Sequence, residues 1–136
     1  MQVLIHIDVD QSIHEMHYHK PVVEWTRTQL PRVVTFDFDN LSETSVSNYA
    51  IDLMNQADQL FVIIDVNIDK NLGSITRFVD GLTRQKGKSV ILLLNGQSAL
   101  LQQMGATLGE RNFKTNLADD DQKDLIMSFF NRRLSA

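Results

Sequence analysis

The chain has 136 residues, 43% hydrophobic and 22% charged, with 13 Lys and Arg against 17 Asp and Glu for a net charge of −4. That length and composition fit one globular domain over residues 1–136, and the negative balance argues against a general grip on nucleic acid or anionic lipid. The absence of cysteine excludes disulfides, thiol nucleophiles and zinc–thiolate sites.

The first apolar run, Val3 to Ile7, is broken only by His6 and ends at Asp8 and Asp10, which predicts a strand. Pro21 splits the connection that follows into a ragged turn over Ser12–His19 and a helix over Pro21–Leu30, since proline suits a first helical turn. Val33 to Phe38 predicts a second strand ending in acid at Asp37 and Asp39. Val46, Tyr49, Ala50, Leu53, Met54 and Ala57 fall on one helical stripe, with Thr44 or Ser45 as its cap. The uninterrupted run Leu60 to Ile64, closed by Asp65, reads as a central strand buried on both faces.

Ile75, Phe78, Val79 and Leu82 repeat the helical stripe, with Lys86-Gly87-Lys88 as a basic last turn and glycine stop. Val90 to Leu94 predicts a fourth strand, closed by Asn95-Gly96. A short helix follows at Leu100, Leu101 and Met104, then a fifth strand over Asn112–Lys114. Asp119, Asp120 and Asp121 oppose a helix macrodipole at its start. The last helix then buries Leu125, Ile126, Phe129, Phe130 and Leu134, with Arg132 and Arg133 at its favourable end.

Five strands alternating with helices imply a three-layer α/β sandwich whose five-stranded parallel sheet has the flavodoxin-like order 2-1-3-4-5. Open sheets of this kind bind ligands at the carboxyl ends of their strands. Strands 1, 2 and 3 all end there in aspartate. Carboxylates brought together repel unless a cation neutralises them, and a hard, oxygen-preferring ion such as Mg²⁺ suits Asp8, Asp10 and Asp65. Aspartates at such turns also serve as helix caps and solvated loop residues.

At these residues the chain resembles a response-regulator receiver domain. Val3-Leu-Ile-His-Ile-Asp8-Val-Asp10 is similar to the strand that carries that family's Mg²⁺-binding acids. Asp65-Val-Asn-Ile resembles its phospho-acceptor segment, and Gly73 falls at its loop glycine. Gly105-Ala106 and Lys114 are similar to motifs of the last third. The resemblance implies Asp65 as phospho-acceptor, Lys114 and Asn95 as supporting residues, Mg²⁺ as cofactor and a protein as docking partner. The departures are equally specific. Val9 interrupts the acid pair, Asp69 stands where proline is customary, Asn95 lacks the switch hydroxyl, Thr115 replaces the following proline, and the connection between strands 1 and 3 is longer than usual. A receiver with these residues is degenerate, and its expected role is a signalling or protein-interaction module.

A second resemblance is to nucleoside deoxyribosyltransferases and TIR domains, through Ala57 to Asp65, Gly81 and Gly87-Lys-Ser-Val-Ile. Val79 occupies the position of the transferase's catalytic glutamate, so this resemblance implies nucleoside or nucleotide binding without glycosyl cleavage. The convergent acids also resemble those of PIN- or NYN-like metal-dependent nucleases, although the chain lacks their basic surface. His14, His17 and His19, with Glu15 between, have zinc- or nickel-like spacing but no fixed fourth ligand. Tyr18 and Trp25 are candidate contact aromatics. No apolar run reaches membrane length, and the opening residues carry neither a basic region nor a cleavage site, so a cytoplasmic protein is expected.

Overall fold

The computed structural model describes residues 1–12 and 20–131. Strands β1 (Gln2–Val9), β2 (Val34–Asp39), β3 (Gln59–Val66), β4 (Ser89–Gly96) and β5 (Phe113–Thr115) form one parallel sheet in the order 2-1-3-4-5. Helices α1 (Pro21–Gln29), α2 (Thr44–Gln56), α3 (Gly73–Thr83), α4 (Ala99–Ala106) and α5 (Asp119–Phe130) alternate with them. This is the flavodoxin-like three-layer α/β fold expected from the alternating pattern.

Two separate cores follow from the period of two along each strand. Val3, Ile5, Ile7 and Val9 of β1, with Leu60, Val62 and Ile64 of β3, pack under α2, α3 and α4 through Met54, Ile75, Phe78, Val79 and Leu101. The alternate residues Leu4, Phe61, Ile63, Ile91 and Leu93 meet Val23 of α1 and Ile126, Phe129 and Phe130 of α5. Phe61 and Phe129 meet edge to face, with ring centroids 5.6 Å apart. A central strand covered on both faces has no solvent side, which explains why Leu60 to Ile64 shows no polar break.

Several boundaries differ from the sequence expectation. β1 and β3 run through Asp8 and Asp65 to Val9 and Val66, so both aspartates lie within strands instead of after them. The residue capping α2 is Glu43, which makes no side-chain cap bond, and Thr44 is already helical. Tyr49 is exposed and meets Phe36 of the edge strand at a tilt, with ring centroids 4.9 Å apart, because that outer strand leaves α2 partly uncovered. Leu100 is also exposed, so Leu101 carries the buried contact of α4. α3 ends at Thr83, and Gly87 turns with φ 73° in the loop beyond it. Asn112 precedes β5, and its carbonyl accepts a bond from the Leu92 amide at 2.8 Å. Residues 13–19, covering most of the predicted Ser12–His19 turn, lie outside the described residues, as do Arg132, Arg133 and Leu134.

Candidate functional site

Strand register builds the site. Asp8 pairs with Asp65 between β1 and β3, and Asp65 pairs with Asn95 between β3 and β4. In-register residues of neighbouring strands stand about 4.8 Å apart with side chains on the same face. His6, two residues before Asp8, joins that face. These four side chains therefore lie on the side of the sheet covered by α1 and α5, where the apolar rows of the second core give way to polar ones.

The N-terminal ends of α1 and α5 leave an open cleft of about 1150 Å³ over this row. Pro21, Val22 and Leu117 supply an apolar wall, while Lys20, Asn116, Asp119, Gln122 and Lys123 complete the lining. Lys123 also lies over the Trp25 ring, 5.8 Å from its centroid. That contact, with packing against the second core, gives Trp25 a structural role.

Both carboxylates on the floor are engaged by side chains of this chain. Asp65 Oδ2 lies 2.6 Å from His6 Nε2, and Asp65 Oδ1 accepts from Asn95 Nδ2 at 2.8 Å. Because a carboxylate only accepts, the His6 nitrogen facing it carries a proton. Lys20 Nζ donates to Asp8 Oδ2. Burial pushes the Asp65 carboxyl up. The hydrogen bond and charge of His6, the Asn95 donor and the Lys20 charge outweigh burial and hold it below the usual carboxylate range. His6 is 3% exposed, and its Nδ1 is buried without a partner among the described residues.

The predicted acids separate into two groups. Ligand atoms of Asp8, Asp65 and His6 lie within 4.8 Å of one another, a spacing compatible with one shared cation. Asp10 takes no part. It is buried among the loops after β1, β2 and β3, where its amide donates to Asn40 Oδ1 and its Oδ1 accepts from Asn67 Nδ2 at 2.9 Å. Its Oδ2 has no partner among the described residues. Lys114 does not approach Asp65 either. Its ammonium donates to the Glu110 carbonyl at 3.0 Å, in a separate hollow with Ile91, Arg111 and Leu125. Val79 is fully buried on α3. His14, His17, His19 and Tyr18 lie outside the described residues.

Sequence reasoning missed His6 and Lys20. His6 had a signal, as the lone polar residue in an apolar run and at even spacing from Asp8. Lys20 had none, because only the placement of α1 carries it to Asp8. Compared with family models, curated proteins and solved structures, the chain matches none. Its class therefore rests on fold and site: a flavodoxin-like α/β domain with a polar cleft at the carboxyl edge of its sheet. No helix among the described residues is long and apolar enough to cross a membrane.

Proposed function

We propose that the chain is a ligand-binding α/β domain whose cleft between α1 and α5 takes a small polar molecule. The observation that carries this reading is the in-register row of Asp8, Asp65 and Asn95, with His6 behind it, on the floor of a cleft with an apolar wall. Concave, partly apolar sites with a few convergent polar groups are the usual form of small-molecule pockets, and strand carboxyl ends are where this architecture binds them. A nucleoside-like ligand is one candidate, with hydroxyl donors on Asp65 and a ring against Val22 and Leu117.

A second reading, the degenerate receiver with Asp65 as phospho-acceptor and Mg²⁺ as cofactor, draws support from Asp65 lying at the carboxyl end of β3 beside Asp8. It has less to work with. Both Asp65 oxygens already accept hydrogen bonds, Lys20 sits on Asp8, and Lys114 and Asp10 are engaged elsewhere. A phosphoryl switch needs a contact that differs between its two states, and the amide of Asn95 is committed to Asp65.

Amide-resonance titration separates the two. A panel of nucleosides, sugars and amines is expected to shift Asp65, Asn95 and Gln122. Mg²⁺ with beryllofluoride is expected to give only small shifts. Large shifts spreading from the Asn95 loop into α4 with Mg²⁺ and beryllofluoride would establish the phospho-switch instead.

A further inference from the structure

We propose that the cleft takes an organic cation, an alkylammonium or guanidinium group seated between Asp8 and Asp65, and that Lys20 is its built-in competitor. The inference rests on the ligand-binding reading above. Oxygens of Asp8 and Asp65 lie within 4.8 Å of each other, so one ammonium making charge-assisted bonds of about 2.8 Å reaches both.

An alkylammonium already holds this place. Lys20, on the chain segment that enters α1, donates to Asp8 with both side chains largely buried. The same group arriving from solvent meets the same partners. Asp65 is about a third exposed (35%), and its two hydrogen bonds leave roughly half of a carboxylate's four acceptor positions open to the cleft. The Pro21, Val22 and Leu117 wall gives an alkyl stem an apolar surface.

The alternatives fit less well. An anionic ligand meets Asp8, Asp65 and Asp119 in the same lining, where of the two lysines Lys20 is taken up by Asp8 and Lys123 lies over the Trp25 ring. A metal on His6 Nε2 leaves the ring proton on Nδ1, which is buried with no acceptor among the described residues, whereas histidine ligands as a rule have such a partner.

The probe is n-butylammonium chloride, the end of a lysine side chain, with 1-butanol as its neutral counterpart, titrated at constant ionic strength and followed by amide resonances of the full chain. Intramolecular competition lowers apparent affinity by the fraction of molecules whose site is open, so Lys20→Ala is expected to bind the probe about tenfold more tightly than the wild type. Asp65→Asn is expected to weaken binding by about tenfold, the loss of one charge-assisted bond. If Lys20→Ala does not fold, Lys20→Gln, which keeps a donor for Asp8, is read in its place with the same direction expected. Equal affinity in the wild type and the Lys20 variants overturns the proposal. So does 1-butanol matching the cation, or Mg²⁺ or Zn²⁺ displacing the probe at lower concentration. If a nucleoside or sugar shifts the cleft and n-butylammonium does not, this inference fails while the ligand-binding reading stands. If no probe shifts the cleft, both fail.

Discussion

Asp65→Asn decides whether the floor of the cleft is held together or held apart. Two effects oppose each other at Asp65. Burial favours removing the charge. The donors His6 and Asn95 favour keeping it. The carboxyl is held below the usual range, so the donors win. In the variant, a flip of the Asn95 amide presents its unpartnered Oδ1 to the new side chain, and both hydrogen bonds persist in neutral form. A hydrogen bond to a charged group contributes about 1 kcal/mol more than a neutral one. Two such bonds give roughly 2 kcal/mol, which relief of desolvation and the one-third exposure of Asp65 reduce to a net loss of about 1 kcal/mol. With a urea m-value of roughly 2 kcal/mol/M, the midpoint falls by about 0.5 M at pH 7. A group whose folded pKa is depressed stabilises above its unfolded value and loses that contribution as pH falls through the folded one. The difference between wild type and variant should therefore be constant above roughly pH 4 and shrink below it. A variant as stable as the wild type at pH 7, or more stable, would falsify the account of a donor-stabilised carboxylate.

Three further outcomes are expected. Val79 is fully buried on α3, so Val79→Asp places an unpaired carboxylate in the core at a cost of several kcal/mol, and an unchanged thermal midpoint would show the residue facing solvent. Gly96 turns with φ 92°, and a Cβ there would lie 2.2 Å from the Val66 carbonyl oxygen, so Gly96→Ala should lose more than about 1 kcal/mol in urea unfolding; a neutral result contradicts the strained turn. Asp10→Asn keeps the acceptor for Asn67 while removing a buried charge that has one oxygen unpartnered, so its urea midpoint should rise; a fall means that the carboxylate is needed where it is.

The sheet was legible because its signal is redundant. Four apolar runs, each too short for a helix, are separated by stripes at helical spacing, and the connections leave few ways to close such a pattern, whereas the three-residue fifth strand carries only Phe113 as an apolar signal. Strand parity was legible in principle as well: His6, Asp8 and Asp10 share one parity along the first strand. What parity does not encode is where a strand stops. β1 ends at Val9, and Asp10, one residue beyond, turns into the loops to bond Asn40 and Asn67, so the acid pair read as one site divides into two environments. Lys114 stands apart from Asp65 for a similar reason. It follows Gly105-Ala106 as in the resemblance, yet its ammonium donates to the Glu110 carbonyl. Tyr49 lay on the right stripe and is exposed because the edge strand beneath it has no further neighbour.

The chemistry of the acids also depends on residues that no spacing reveals. Aspartates converging at strand ends point, from sequence, either to a metal or to helix caps and solvated loops, because two ionised carboxylates in register are costly. The fold answers that cost from within the chain. Lys20 arrives at Asp8 on the N-terminal end of α1, and His6 reaches Asp65 from two residues down the neighbouring strand. Neutralisation by side chains leaves a different site from neutralisation by a bound ion. An ion coordinates by geometry and holds its ligands fixed. A lysine on a four-carbon stem can yield its place to another cation at the cost of one ion pair exchanged for another. On the reading proposed above, a floor on which Lys20 holds Asp8 and Asp65 keeps open acceptor positions suits the exchange of one organic cation for another.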